Sequence, residues 1–273
     1  MRLTIGYLYP SVMSLYGDQG NITCLLRRCR WRGIEAEVLD LEIGAPIDPS
    51  AVDIFFMGGG ADSHQRLVAE DLAQVKGEAI RQAVEEGTAA LTVCGGYQLW
   101  GNYYQPADAD VLPGLGIFDA YTVHRAAPHR GFLASIAQAR RKRAVGNIVA
   151  RWRDQTLVGF ENHGAQTFLN PGAHPLARVL VGGGNNSQDG TEGAVYKNAI
   201  GTYLHGPVLP KNPHLADHLI ATALRRRHGE VKLKPLDDSL EMETHRRAVQ
   251  QALAGRRSPL QQMLQSMPAR NRP

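Results

Sequence analysis

No apolar run in the 273-residue sequence approaches the roughly 18 residues that a membrane helix needs, so no integral membrane segment is expected. The opening MRLTIGYLYP runs straight into a polar turn and lacks the pattern of a secretory signal, which points to a cytoplasmic protein. Cysteine is scarce. Cys24, Cys29 and Cys94 are odd in number and irregular in spacing, which argues against a disulfide framework, and no C-x-x-C pair suggests a metal site. Cys24 and Cys29 lie in ITCLLRRC, a helical pattern in which small buried residues are the ordinary role. Metal: none is expected.

Charge of one sign is not in large excess: 30 Lys and Arg stand against 26 Asp and Glu. The surplus is local, in Arg140–Arg143, in Arg225–Arg227, and in Arg256, Arg257, Arg270 and Arg272 of the tail. Solvated helix faces are one reading of these runs, and contact with an anionic partner or surface is the other. No aromatic interleaving or nucleic-acid motif accompanies them, so nucleic acid is not an expected partner. The chain also lacks G-x-x-x-x-G-K-[ST] and any G-x-G-x-x-G opening a helix after the first strand, so no nucleotide cofactor is expected on this chain.

What is there is a regular alternation. LTIGYLY, AEVLDL, VDIFFMGGG and ALTVC are strand-like, separated by helical stretches at Ile22–Arg32 and at Asp62–Glu86. This order predicts an α/β fold, a mostly parallel sheet with helices on both faces. NIVARW, TLVGFEN and AIGTYLH are strands of the second half, followed by helices over Asn212–His228 and Ser239–Leu253. The expected organisation is a main domain over residues 1–230, with residues 231–273 a helical appendage and polar tail.

The most informative segment is AALTVCGGYQLWG, residues 89–101. A strand ends at Cys94, two glycines follow, and a helical pattern begins at once. Such a strand-to-helix turn lifts one side chain to the carboxyl rim of a parallel sheet, where the helix N-terminus stabilises a thiolate. A proton carrier is then required. His205 ends AIGTYLH before the sharp exit Gly206–Pro207, and His163, in GFENHG, is the rival. The glycine turn MGGG at 57–60 ends the preceding strand. Its backbone N–H groups near Gly59, with that of Gly95, are the expected oxyanion hole, and a phosphate-binding turn is the alternative.

VCGGYQLWG, GFENHG and GTYLHGPVLPKNP, in this order, with YGDQGN, DIFFMGGGADSHQ and LPGLGIFDAYT, resemble the cobyric-acid-synthase-like class I glutamine amidotransferases over about residues 3–230. The resemblance implies the flavodoxin-like class I amidotransferase fold, Cys94 as nucleophile and His205 as base. It implies that Arg143 grips the carboxylate of glutamine, although Arg143 also reads as a member of the solvated basic run. The narrowest likeness is to the branch that works beside a MurT-like, Mur-ligase-type subunit. It implies that ATP and Mg sit on that partner, that glutamine supplies the ammonia, and that the acceptor is the D-isoglutamate α-carboxyl of lipid II in peptidoglycan synthesis, reached at the inner face of the membrane.

Two departures from the family pattern stand out. Pro207 occupies the place of the glutamate that many class I enzymes carry two residues after the histidine, which leaves the third member of the triad to Asp18, to Glu161 or to another group. The stretch 124–142 is also longer than the pattern. Other readings are an amidotransferase of cobalamin synthesis, a catalytically silent regulatory protein on the same fold, and a stand-alone cysteine hydrolase.

Overall fold

The computed structural model describes residues 1–126 and 143–255. The basic run at 140–142, most of the 124–142 stretch and the arginines of the tail lie outside the described residues.

Strand β1 (Arg2–Leu8) leads to helix α1 (Gln19–Trp31), then β2 (Glu35–Leu41), β3 (Ile54–Met57), α2 (Asp62–Asp71), α3 (Gly77–Glu85), β4 (Ala89–Val93) and α4 (Gly95–Trp100). The second half opens with β5 (Tyr103–Gln105), β6 (Leu112–Pro113) and β7 (Ala120–His124), followed by β8 (Ala144–Trp152), β9 (Gln155–His163) and β10 (Ala165–Leu169). It continues with β11 (Ala177–Val181), β12 (Thr191–Glu192), β13 (Ala194–Tyr196) and β14 (Ala199–Thr202), and closes with helices α5 (Val208–Lys211), α6 (Pro213–His228) and α7 (Ser239–Gly255).

The main sheet has the order β13-β14-β4-β3-β1-β2, parallel except at the antiparallel edge β13. Its central strands IFFM and AALTV are buried at every position, as strands covered on both faces must be. The edge strand EAEVLDL is mostly exposed. Helices cover both faces: α1 packs against α5 and α6, and α6 reaches β3 and β4, while α2 packs against α4. The sheet and its covering match the expected α/β architecture. The second half adds two further four-stranded sheets, β10-β7-β5-β6 and the antiparallel β12-β11-β8-β9, and returns to the main sheet with β13 and β14.

The stretch 62–86 reads as one amphipathic helix, but it is two, joined by a π-turn at Leu72–Lys76. The reason is a buried charge. Lys76 is fully enclosed, bonds the Asp71 carboxylate and lies over the Tyr9 ring, while the Tyr9 hydroxyl donates to the same carboxylate. The wider turn carries the lysine to this partner instead of to solvent.

Residues 231–238 run without regular structure to α7. Arg28 of α1, 2% exposed, forms bidentate pairs with both Asp217 of α6 and Asp238. His245 of α7 bonds Thr156 Oγ1 and the Lys211 carbonyl, each at 2.8 Å. These contacts tie the described C-terminal helix to the body. No helix among the described residues is long and apolar enough to cross a membrane.

Candidate active site

Cys94 sits between β4 and α4 with φ +51° and ψ −108°, a conformation that costs a non-glycine residue about 1–3 kcal/mol. Neighbouring bonds hold it there. Its N–H donates to Thr202 O of β14 at 2.8 Å, and its carbonyl accepts the Gln98 amide at 2.9 Å. The residue behind the turn must lack a side chain, because a Cβ at Gly96 would lie 2.7 Å from the Met57 carbonyl oxygen. The Cys94 side chain is 8% exposed and opens into a cavity of about 280 Å³, also lined by Gly60, Gln98, Tyr104, Arg143 and His163. Of the other cysteines, Cys29 is buried and Cys24 half-buried, and desolvation pushes Cys24 up to about 12 and Cys29 to about 11.

His205 reaches the same point by a route that differs from the sequence reading. Strand β14 ends at Thr202, three residues short of the histidine. His205 then pairs in an isolated antiparallel bridge with Phe160 of β9, exchanging backbone bonds of 2.9 and 3.2 Å. The chain thus leaves the main sheet and is caught by the third one. A Cβ placed on Gly59 would lie 3.2 Å from His205 Cε1 and 3.3 Å from Cys94 Cβ, so the nucleophile and the imidazole converge on that one glycine.

Asp18, fully buried at the N-cap of α1, completes the group. Its Oδ1 lies 3.9 Å from His205 Nδ1, and its Oδ2 accepts the Gly59 amide at 2.6 Å. Two contacts hold the start of α1 here. The site of a Gly20 Cβ is filled by the Pro207 ring, and Asn21 Oδ1 accepts the Leu209 amide. Burial alone would suppress the charged imidazole of His205. The adjacent Cys94 sulfur and the Asp18 carboxylate outweigh it and raise His205 from 6.5 to about 10. Glu161, the other carboxylate considered, instead accepts the amides of Gly183 and Gly184.

The glycine turn requires a correction. The Gly59 amide, expected to hold an oxyanion, is taken by Asp18. Among the described residues the amides of Gly60 and Gly95 donate to no protein acceptor, and a Cβ on Gly95 would lie 3.0 Å from Gly60 N. This pair of amides is therefore adjacent and available.

Arg143 borders the cavity. Its Nε donates to Asn162 Oδ1 at 2.8 Å and its Nη2 to the Asn162 carbonyl at 3.1 Å, which orients the guanidinium. His163 lines the cavity too, but it is no candidate base: burial drives its pKa down to about 3. Sequence reasoning missed Glu192. It is wholly buried, accepts from Thr202 Oγ1 and the Tyr203 amide, and is pushed up to about 7 by burial. Its setting in TEGAVY, at the end of the two-residue strand β12, carries no signal of that environment.

The family model of the CobB/CobQ-like glutamine amidotransferase domain matches residues 4–213. Among curated proteins, the chain is 38% identical over 243 residues to the lipid II isoglutaminyl synthase (glutamine-hydrolyzing) subunit GatD of Staphylococcus aureus strain N315. That match covers 89% of this chain and 93% of that protein. It is 36% identical over 245 residues to the GatD subunit of Streptococcus pneumoniae strain ATCC BAA-255 / R6, with 89% and 88% covered. A cobyric acid synthase of Pelotomaculum thermopropionicum is 33% identical over 163 residues, which is 55% of this chain and 28% of that protein.

Proposed function

The chain belongs to the CobB/CobQ-like glutamine amidotransferase family, and we propose that it is the glutaminase subunit of a two-subunit enzyme that amidates lipid II. The Cys94 thiolate attacks the side-chain amide carbon of glutamine. The developing oxyanion is held by the amides of Gly60 and Gly95. His205 gives a proton to the leaving nitrogen, so that ammonia departs and a γ-glutamyl thioester remains on Cys94. His205 then takes a proton from water, hydroxide adds to the thioester, and collapse returns glutamate and the thiolate. Asp18 orients the imidazole and balances its charge. Arg143 holds the α-carboxylate of glutamine through two parallel hydrogen bonds.

Ammonia passes from this site to a MurT-like partner that binds ATP and Mg, where the α-carboxyl of the D-isoglutamyl residue in the stem peptide is activated and amidated. The partner and the acceptor rest on the near-full-length likeness to the two GatD subunits. The likeness to cobyric acid synthase spans little more than a quarter of that protein and supports a role in cobalamin synthesis less well.

The observation that carries the chemistry is the convergence of Cys94 and His205 on Gly59. A silent binding protein has no need for a strained backbone at Cys94. The experiment is glutamate release from glutamine, with and without the partner, for the wild type and Cys94→Ala. Turnover that vanishes in the variant and rises with the partner supports the reading. Turnover that survives Cys94→Ala removes the nucleophile, and turnover indifferent to the partner favours a stand-alone hydrolase.

A further inference from the structure

His163 is 2% exposed, lies on the wall of the Cys94 cavity and has no part in the proton transfers assigned above. Its ring is fixed in two ways. It stacks on Tyr203 with centroids 3.7 Å apart and planes 11° from parallel, and its Nδ1 lies 2.8 Å from the Ala165 carbonyl oxygen. Tyr203 is itself held, its hydroxyl meeting Thr167 Oγ1 and Gln98 Nε2. The ring can therefore neither rotate nor flip without breaking a buried bond.

The Ala165 oxygen can only accept, so Nδ1 must carry the proton that makes this bond. In a neutral imidazole the other nitrogen is then a bare lone pair. Among the described residues Nε2 is buried with no hydrogen-bond partner. The ring stays neutral because burial opposes its protonation, and Arg125, His205 and Arg143 add unfavourable positive charge. Because His163 lines the cavity beside the nucleophile, a donor from a ligand or a water can satisfy this fixed, neutral acceptor. Glutamine has one that its product lacks. The side-chain amide presents N–H groups, whereas the γ-carboxylate of glutamate and a γ-ester present only acceptors.

We infer that Nε2 of His163 accepts a hydrogen bond from the amide nitrogen of glutamine, making His163 the residue that selects an amide over a carboxylate or an ester. The inference rests on the glutaminase reading. It also assigns His163 a part in product release: once ammonia has left, Nε2 faces a γ-carboxylate that cannot satisfy it, and the two acceptors repel.

The test compares kcat/KM for glutamine and for glutamate γ-methyl ester in the partnered enzyme, using the wild type, His163→Phe and His163→Gln. Phenylalanine keeps a flat ring against Tyr203 but removes the acceptor, and glutamine restores a carbonyl acceptor. The amide-to-ester ratio is expected to fall on the order of tenfold in His163→Phe, the effect of one unpaired buried group, and to recover in His163→Gln. An unchanged ratio, with both substrates weakened equally, overturns the assignment and gives the atom a structural role or the α-ammonium as its donor.

A second measurement needs no change at the histidine. In the Cys94→Ala protein, the ¹⁵N resonance of His163 Nε2 is expected to move when glutamine binds and to stay in place when glutamate binds. Equal shifts with both, or none with bound glutamine, overturn the inference. A wild type that releases no glutamate from glutamine fails the glutaminase reading instead, which separates the two.

Discussion

Asp18 Oδ1 lies 3.9 Å from His205 Nδ1 while its Oδ2 accepts the Gly59 amide, so one buried carboxylate joins the imidazole to the glycine on which nucleophile and base converge. The residue that many class I enzymes place two positions after the histidine is here Pro207, and the Pro207 ring packs on Gly20 at the start of the helix that Asp18 caps. The carboxylate thus arrives from the other end of the chain, brought by packing. Asp18→Asn keeps the shape and an acceptor for Gly59 but removes the charge. Glutaminase kcat is expected to fall on the order of 10²-fold, with KM for glutamine little changed. The His205 pKa, followed by NMR, is expected to drop from its raised value. An unaltered kcat would assign the orientation of His205 to another group.

Arg143 donates two bonds to Asn162 and keeps Nη1 unbonded among the described residues, at the edge of the Cys94 cavity. A guanidinium oriented by a neighbouring amide is prepared for a carboxylate. Arg143→Ala is expected to raise KM for glutamine on the order of 10- to 100-fold, the loss of charge-assisted bonds, while the melting temperature stays near that of the wild type. Near-normal kinetics would return Arg143 to the solvated basic run.

Gly59 makes a sharper test of geometry. A methyl group there would sit 3.2 Å from His205 Cε1 and 3.3 Å from Cys94 Cβ, tighter than ordinary van der Waals contact with both. Gly59→Ala is expected to cost at least about tenfold in kcat by moving the pair apart, with a small effect on the denaturation midpoint. A variant with full activity would show that the imidazole approaches the sulfur from another side.

Much of this arrangement was legible in the chain because it is local. Buried strand runs such as IFFM and AALTV, and the glycines behind Cys94, express themselves within a few residues, and the main sheet and the elbow follow from them. His205 was identifiable from its sharp exit, but not the bridge to Phe160 that holds it, because that pairing joins segments from different sheets. Gly59 and Gly60 are equivalent as letters. Only the approach of Asp18 decides which amide is occupied. Lys76 falls inside the expected helical stretch Asp62–Glu86, and its contacts with Asp71 and the Tyr9 ring accompany a π-turn that periodicity does not register. Arg28 is similar: its neutralisation depends on Asp217 and Asp238, nearly two hundred residues away or more.

Arg28 also predicts how strongly α1 and the segment before α7 depend on each other. Both carboxylates meet a guanidinium that is 2% exposed. Removing the cation leaves Asp217 with Arg32 alone and takes from Asp238 its guanidinium partner, so a partly buried acid is left uncompensated. Arg28→Ala is expected to destabilise the chain by about 3–5 kcal/mol in urea denaturation, and Arg28→Lys to recover only part of this because the bidentate geometry is lost. A loss below about 1 kcal/mol would mean that water solvates the two carboxylates as well as the arginine does.

Buried His163 and half-buried His214 and His218 bear on stability toward acid. Burial drives His163 to about 3 and both His214 and His218 to about 4, with the neighbouring His245 reinforcing the shift at His214 and Arg153 at His218. His214 and His218, four residues apart on α6, flank the Trp152 ring, and among the described residues no group of three ligands gathers around a metal. Unfolded, each histidine titrates near 6.5. Between 6.5 and about 4 the unfolded chain therefore binds protons that the folded chain refuses, and these groups contribute stability that is complete above 6.5 and lost as pH falls. Glu192, raised by burial to about 7, and Glu161, also raised by burial, act in the opposite sense over part of this range. Three histidines against two carboxyls leave a net loss on acidification. His205 is protonated in both states by the lower end of the window, and its raised value matters instead on the alkaline side, where its contribution disappears as pH rises through about 10. The urea midpoint is accordingly expected to decline from pH 7 to pH 4.5, and His214→Leu, which removes one proton site and fills the space beside Trp152, to make that decline shallower. A midpoint that is flat across the window, or equally steep in the variant, would mean that these rings reach solvent before the chain unfolds.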